Sequence, residues 1–274
     1  RPGTSVYTGW LNERGVYEAD VTVTRRADDD FLVLSSAATR ERDLDWLGRH
    51  LPADGDAHVE DVTEGYAVFG VMGPRSRELL ARVTGEDFGN AAHPFAASRT
   101  VTIGGWPVRA TRITYVGELG WELMVDVADA GAVWDRLVSD GAEVGLALAG
   151  YYAIEAMRLE KGYRAFGREL TPDLTPVEAG LLFACKTSTP VDFIGRDAVQ
   201  ERRGQDPVRR IVSFMVLDPD VYLWGGELLL RDGIPAGQVT SAAWGATAGC
   251  AVGLALVADR ETGAAPSGWV ATGD

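Results

Sequence analysis

One aspartate lies in a segment where its residue type is unexpected. Asp20 belongs to the stretch GVYEADVTV (residues 15–23), whose β-branched residues and alternating pattern predict a strand. Aspartate is a poor strand former. A carboxylate in this place is either solvated at the strand edge or directed into a cleft. The properties of the strand alone favour the solvated edge.

A second group of polar residues follows later in the chain. The stretch YVGELGWE (residues 115–122) predicts a strand, a glycine-bearing turn and a returning strand. Period-two alternation places Glu122 on the face opposite Trp121 and Leu123. On these grounds a surface hairpin is the favoured interpretation.

Several common kinds of site are excluded by missing motifs. The chain has no GxGxxG opening a βαβ unit, no Walker loop and no GxSxG elbow. Its three histidines are scattered without metal-ligand spacing, so we predict no metal site. Cys185 and Cys250 lie far apart outside any CxxC pair, which predicts two small buried thiols in a reducing compartment. Carboxylates, tyrosines and arginines remain as candidates.

Composition narrows the partners further. The net charge of −14 opposes binding to a phosphate backbone, so nucleic acid is excluded as a partner. The acidic run Asp28–Asp30 is interpreted as a solvated hairpin turn between a strand at Val16–Arg25 and its partner strand at Phe31–Leu34. No apolar run approaches the roughly 20 residues that span a bilayer, and no targeting pattern opens the chain. These features predict a cytoplasmic protein without a membrane partner. The first residues, which lead within a few positions into a strand, indicate a piece of a longer protein.

The elements that must position these side chains alternate between strands and helices before residue 205. A buried strand is predicted at Tyr66–Val71, and further strands at Thr100–Ile103, Val108–Tyr115 and Trp121–Val127. Helices are predicted from about Thr39, from about Pro74, and at Ala130–Ser139 and Tyr151–Lys161. Beyond Pro207 only short strands broken by glycine are expected, at Ile211–Val216, Glu227–Leu230, Gly237–Ser241 and Cys250–Val257. The prediction is an α+β region, residues 1–205, followed by a small β-barrel or sandwich, residues 206–274.

Long motifs in one order connect the chain to a known family. The stretches YTGWLNERG (7–15) and EADVTVT (18–24) resemble the glycine-cleavage T-protein family. Those at 115–123, 158–170, 175–181 and 193–199 are similar to the folate domains of dimethylglycine and sarcosine dehydrogenases: YVGELGWEL, RLEKGYRAFGREL, TPVEAGL and FIGRDAV. The resemblance extends to about Val257. It implies a folate-binding fold of mixed α+β domains ending in a small β-barrel, preceded in the family by a further half-domain.

The resemblance also implies a role for each candidate residue. Asp20 matches the aspartate beside the reactive N5–N10 edge of tetrahydrofolate, where it handles a proton or orients the amine. Tyr115 and Glu122 match the pair that contacts the pterin ring, and Tyr7 matches a tyrosine lining the same pocket. Arg158 matches an arginine that meets the glutamate tail of folate. The alternative for Arg158 is a helix-surface residue that pairs with Glu155 or Glu160.

The activity implied is tetrahydrofolate-dependent transfer of a one-carbon unit from an iminium or aminomethyl donor, giving 5,10-methylenetetrahydrofolate. The flavin, FAD, of the dehydrogenase relatives would lie on a separate domain or chain, because this sequence has no flavin fingerprint. A glycine-cleavage aminomethyltransferase served by a lipoyl carrier protein, and a folate-dependent demethylase, are the enzymatic alternatives. A non-catalytic folate-binding protein is the alternative that is not an enzyme. The segment Cys185-Lys186-Thr187 does not resemble the cysteine motif of such relatives, which counts against this alternative.

Overall fold

The computed structural model describes residues 1–259 and residue 263. These form two compact units. The first unit contains Arg1–Val6 and Thr22–Ala149, and the second contains Tyr7–Val21 together with Gly150 and residues after it. Strands β1 (Thr4–Leu11) and β2 (Tyr17–Arg25) therefore each contribute to both units. This grouping differs from the predicted division into residues 1–205 and 206–274, which stays a prediction.

The first unit is built on a four-stranded antiparallel sheet in the order β4-β7-β6-β5. Its core contains Trp121, Leu123, Val125, Ile103 and Leu80, each almost completely buried. The elements of this unit after β2 are β3 (Phe31–Leu34), α1 (Arg40–Arg49), β4 (Tyr66–Met72), α2 (Ser76–Thr84), β5 (Ser98–Ile103), β6 (Trp106–Thr111), β7 (Gly120–Asp126) and α3 (Ala130–Gly141).

Most predicted elements of the first unit are confirmed, with two corrections. The acidic run is a turn between β2 and β3, where Arg25 pairs with Asp28 and Arg26 with Asp30. Strand β4 was predicted to be a buried strand, and this was wrong: Val68 is 48% exposed. The reason is that β4 is an edge strand whose alternate side chains face away from the core. Strand β6 ends at Thr111, so the predicted strand to Tyr115 is too long.

The second unit ends in another four-stranded antiparallel sheet, in the order β8-β11-β10-β9. Its elements are α4 (Tyr151–Glu160), α5 (Arg196–Arg202), β8 (Arg209–Met215), β9 (Leu228–Arg231), β10 (Ile234–Gly245) and β11 (Cys250–Ala258). The four strands predicted beyond Pro207 are confirmed, whereas helix α5 was not predicted. Its core joins Leu11 and Tyr17 of the first two strands to Leu159, Leu170 and Leu254.

A tight turn connects β1 to β2 inside the second unit. Asn12 Oδ1 accepts the backbone N–H of Arg14 at 3.0 Å, and Asn12 Nδ2 donates to Glu18 Oε1 at 2.7 Å. Gly15 has a φ of 71°, a left-handed conformation that glycine adopts without strain. The Asx-type bond and the glycine explain why this short sequence reverses the chain. They also fix the strands that carry Tyr7 and Asp20.

Neither a metal-binding cluster nor a membrane-spanning helix is present among the described residues. No group of three or more His, Cys, Asp or Glu side chains among the described residues could hold a metal ion. In the same part of the chain, no helix is both long and apolar enough to cross a bilayer. Cys250 is buried, as predicted, and Cys185 is half-buried.

Candidate functional site

Tyr7 and Asp20 are brought together by β1 and β2. The phenolic Oη of Tyr7 donates a hydrogen bond to Asp20 Oδ2 at 3.2 Å. Asp20 is half-buried, and Tyr7 is 38% exposed. The contact therefore lies where a ligand from solvent reaches it, while the carboxylate is partly withdrawn from water. Both members of this pair were predicted as site residues.

Tyr17 forms the buried support of this pair. Its side chain is 1% exposed, and Gly9 lies so close that a Cβ there would be 2.5 Å from the ring. Burial raises the pKa of Tyr17, electrostatic interactions with Cys185 and Asp20 raise it further, and the interaction with Arg164 lowers it. Tyr17 is therefore a neutral phenol at physiological pH. Any side chain larger than that of glycine at position 9 would therefore displace the Tyr17 ring, which neighbours Tyr7 and Asp20.

The thiol of Cys185 belongs to the same surroundings. Burial raises the pKa of this thiol to about 11. A thiol at that pKa carries almost no thiolate at neutral pH, and the thiolate is the nucleophilic form. Cys185 accordingly contributes packing next to Tyr17 rather than covalent chemistry.

Glu122 lies on β7, on the face opposite the core residues Trp121 and Leu123, as the alternation predicted. Its backbone neighbours in the sheet are Gly70 on β4 and Thr111 on β6. Burial raises the pKa of Glu122, and no charge or hydrogen bond from another described residue adds to this shift. A desolvated carboxyl without a protein donor among the described residues is an acceptor prepared for donors from a ligand.

The environment of Glu122 leads to a prediction on pH-dependent stability. Because its pKa is raised in the folded state, its contribution is fully present below the ordinary glutamate pKa and is lost as pH rises through the folded value. Glu122→Gln stays neutral at every pH. We expect the stability of this variant relative to wild type to increase from about pH 4 towards neutrality, as measured by urea denaturation across that range. The exposed Glu118→Gln is the control, and a difference for Glu122→Gln that does not vary with pH would contradict the prediction.

Tyr115 lies in the connection between β6 and β7, not in the predicted strand. The hydroxyl of Thr114 accepts the backbone N–H of Val116 at 3.2 Å, and Gly117 has a φ of 74°. This side-chain-capped turn competes with strand pairing after Thr111. Tyr115 is half-buried in this loop, which precedes the strand of Glu122.

Arg158 is fully buried in the second unit. Nη1 donates to Glu169 Oε2 at 2.9 Å and to the carbonyl of Tyr163 at 2.8 Å, and Nη2 is paired with Glu155. Of the two surface partners considered from the sequence, Glu155 is observed; Glu160 instead accepts the backbone N–H groups of Thr247 and Ala248. These contacts describe a structural ion pair. The role predicted for Arg158 at a folate carboxylate stays a prediction.

Three residues near Arg158 or near the Tyr7–Asp20 pair were not predicted from the sequence as site residues: Glu169, Arg164 and Tyr17. Glu169 is 1% exposed and accepts from Arg158, from the Ala165 N–H at 3.0 Å and from Thr240 Oγ1 at 2.7 Å. Arg164 donates to the carbonyl of Ala179 at 3.0 Å. The sequence signal that could have identified Glu169 was the motif RLEKGYRAFGREL, which contains both Arg158 and Glu169.

Two family models match the chain, one after the other. The GCVT N-terminal domain matches residues 1–189, and the glycine cleavage T-protein C-terminal barrel domain matches residues 209–273. The chain belongs to the glycine cleavage T-protein family. Its fold is that of the family, mixed helices and sheets with a C-terminal barrel-like domain, as predicted.

Other T-protein family members are similar over most of the chain. The 4-methylaminobutanoate oxidase (formaldehyde-forming) of Paenarthrobacter nicotinovorans is 38% identical over 92% of this chain. Human mitochondrial sarcosine dehydrogenase is 34% identical over 100% of it, and the aminomethyltransferase of Geobacillus kaustophilus is 33% identical over 94%. The crystal structure of aminomethyltransferase T of the glycine cleavage system from Bartonella henselae covers 94% of this chain and 69% of its own, with a TM-score of 0.79 and 25% identity.

The relatives differ in how much of their own length is matched. This T-protein family chain spans 31% of the oxidase and 31% of sarcosine dehydrogenase, but 70% of the Geobacillus aminomethyltransferase. The larger relatives thus contain this fold as one part of a longer chain.

Proposed function

We propose that this chain is a tetrahydrofolate-binding module that transfers a one-carbon unit to form 5,10-methylenetetrahydrofolate. Membership of the glycine cleavage T-protein family carries the proposal, because relatives similar over nearly the whole chain are, by name, an aminomethyltransferase, a formaldehyde-forming oxidase and a sarcosine dehydrogenase. The donor is an iminium or aminomethyl compound, CH2=NHR⁺ in its simplest form. The methylene carbon becomes bonded to N5 and N10 of folate, and the amine leaves as RNH3⁺ with the two hydrogens that those nitrogens release.

Asp20 supplies the base that this reaction requires. As a folate nitrogen attacks the donor carbon, it becomes positively charged and must lose its proton. A positioned carboxylate accepts that proton and can return it to the departing amine. The half-buried setting of Asp20 and its hydrogen bond from Tyr7 support this role.

Glu122 is proposed to hold the pterin ring. The pterin has an N–H and an amino group side by side, and one carboxylate accepts hydrogen bonds from both. The half-buried Glu122 carboxyl, to which no described residue donates, has the acceptors for this pair. Tyr115 supplies an aromatic surface for the ring, and Arg158 is carried over from the resemblance for the glutamate tail.

The donor would come from one of two sources. In a dehydrogenase-like protein a flavin on a separate domain or chain oxidises the amine to the iminium. The similarity to the oxidase and to sarcosine dehydrogenase supports this choice. The second candidate function is that of a glycine-cleavage aminomethyltransferase, to which a lipoyl carrier protein delivers the aminomethyl group. This candidate is favoured by the match to 70% of the length of the Geobacillus aminomethyltransferase.

Calorimetric titration of the full-length protein with 5-formyltetrahydrofolate tests the proposal. We expect the wild type to bind and Glu122→Ala to bind roughly 10- to 100-fold more weakly, since hydrogen bonds to a charged group are worth about 1.5–3 kcal/mol. Glu118→Ala, which changes an exposed neighbouring carboxylate, should bind like the wild type. Absence of binding by the wild type would refute the folate assignment, and equal binding by Glu122→Ala would remove that residue from the site.

A further inference from the structure

The phenol of Tyr7 contacts the carboxylate that the proposed reaction uses. Tyr7 Oη donates to Asp20 Oδ2 at 3.2 Å from the neighbouring strand. We propose that Tyr7 is a positioning residue of the one-carbon transfer, which holds the Asp20 carboxylate in its reactive orientation and favours its ionised form. This inference rests on the proposed function and deepens it: it assigns to Tyr7 an action through Asp20, beyond lining a pocket.

Orientation is the first part of the argument. The terminal torsion of an aspartate side chain is broad, so the strand alone does not fix the plane of the carboxylate. A hydrogen bond to one oxygen fixes that plane. Tyr7 is suited to this because β1 is itself anchored: Thr8 Oγ1 donates to the carbonyl of Ala184 at 3.4 Å, and Gly9 lies against the buried ring of Tyr17.

Charge is the second part. Two described groups that interact with this pair are Tyr17, whose pKa Asp20 helps to raise, and Arg164, whose pKa is lowered by burial and raised by Glu169 and both tyrosines. Tyr17 and its neighbour Cys185 are neutral at physiological pH because burial raises the pKa of each. Asp20 is thus the carboxyl group of this set and Arg164 its guanidinium. A donated O–H favours the ionised carboxylate.

Tyr7→Phe in the full-length enzyme tests the inference, because phenylalanine keeps the ring and removes the donor. We expect kcat to fall roughly 10- to 100-fold, the range for a hydrogen bond to a charged group. The Kd for 5-formyltetrahydrofolate should change by less than about threefold, the ring surface being retained. The acid limb of the pH profile of kcat/KM should move to higher pH, since the ionised form of Asp20 loses support.

A double variant shows whether Tyr7 acts through Asp20. In the Asp20→Asn background, Tyr7→Phe should lower the residual kcat no further, because the group that it positions no longer takes a proton. Tyr222→Phe is the matched control: it removes an exposed phenol that stacks on Trp244 in the same unit. This control should keep the wild-type kcat, Kd and pH profile.

Three results would overturn the inference. They are a wild-type kcat and pH profile in Tyr7→Phe, a lowered kcat with an unmoved acid limb, and an equal further loss in the Asp20→Asn background. Failure of the proposed function is recognised separately: the wild type would not bind 5-formyltetrahydrofolate, or Asp20→Asn would turn over like the wild type. If the protein binds folate and loses turnover in Asp20→Asn, but Tyr7→Phe keeps the wild-type kcat and pH profile, only the inference on Tyr7 is refuted.

Discussion

Asp20→Asn is expected to lower methylene transfer in the full-length enzyme by about 10²- to 10⁴-fold, the usual contribution of general acid–base catalysis, with folate affinity nearly unchanged. The amide keeps the size of the side chain and an oxygen that accepts from Tyr7, but it cannot take a proton. Binding contacts made by other residues are untouched. Single-turnover formation of 5,10-methylenetetrahydrofolate measures the chemical step, and calorimetric titration with 5-formyltetrahydrofolate measures the affinity.

The control for this variant is Asp28→Asn, since Asp28 is an almost fully exposed carboxylate in the turn after β2. It should behave like the wild type in both measurements. Wild-type turnover by Asp20→Asn would remove Asp20 from the mechanism. Equal losses of affinity and turnover would reassign Asp20 to binding, because a residue used only in the transition state lowers kcat without raising Kd.

Glu169→Ala is expected to destabilise the second unit by about 3–5 kcal/mol, the usual cost of removing one partner of a buried ion pair. Arg158 has no exposed surface and donates to Glu169 at 2.9 Å, so the variant leaves part of a buried guanidinium without its anion. Thr240 and the Ala165 N–H lose an acceptor as well. Urea denaturation followed by tryptophan fluorescence measures the change in the free energy of unfolding.

Two further variants separate charge from packing at this position. Glu155→Ala removes the partner whose side chain is 21% exposed, so the cost should be clearly smaller than for Glu169→Ala. The double variant Arg158→Met with Glu169→Leu replaces the ion pair by apolar groups and should recover most of the lost stability. If Glu169→Ala cost no more than Glu155→Ala, the buried pair would not be the main stabilising contact of α4.

Local signals made much of the fold predictable. Strand β3 was predicted at its observed bounds, and the four C-terminal strands were located because glycine-rich breaks separate their apolar runs. Helix α5 was missed, since its seven residues are too few to show a helical period. The end of β6 was misplaced because the turn at Thr114 depends on a side chain that caps the backbone, which alternation does not reveal.

The candidate site was predicted less completely, for a reason that is also physical. Family motifs pointed to Asp20 and Tyr7, and the structure joins them by a hydrogen bond. The buried environment of Arg158 depends on Glu169, which lies 11 residues further along the chain. Glu169 in turn accepts a hydrogen bond from the distant Thr240. Neither strand alternation nor helix periodicity indicates such distant pairing. A sequence pattern shows which residue types are present, and burial decides whether their charges meet a ligand or one another.

The course of the first two strands has a consequence for biosynthesis. The hairpin Tyr7–Val21 packs within the second unit: the Tyr17 N–H donates to the Leu174 carbonyl at 3.1 Å, and Arg202 Nη1 donates to the Arg14 carbonyl at 3.0 Å. Residues 22–149 intervene, so a growing chain carries this hairpin unpartnered until that whole length has left the ribosome. Contacts so distant in sequence form slowly. A premature stop near residue 149 would therefore leave Asp20 on a strand whose packing surface was never made.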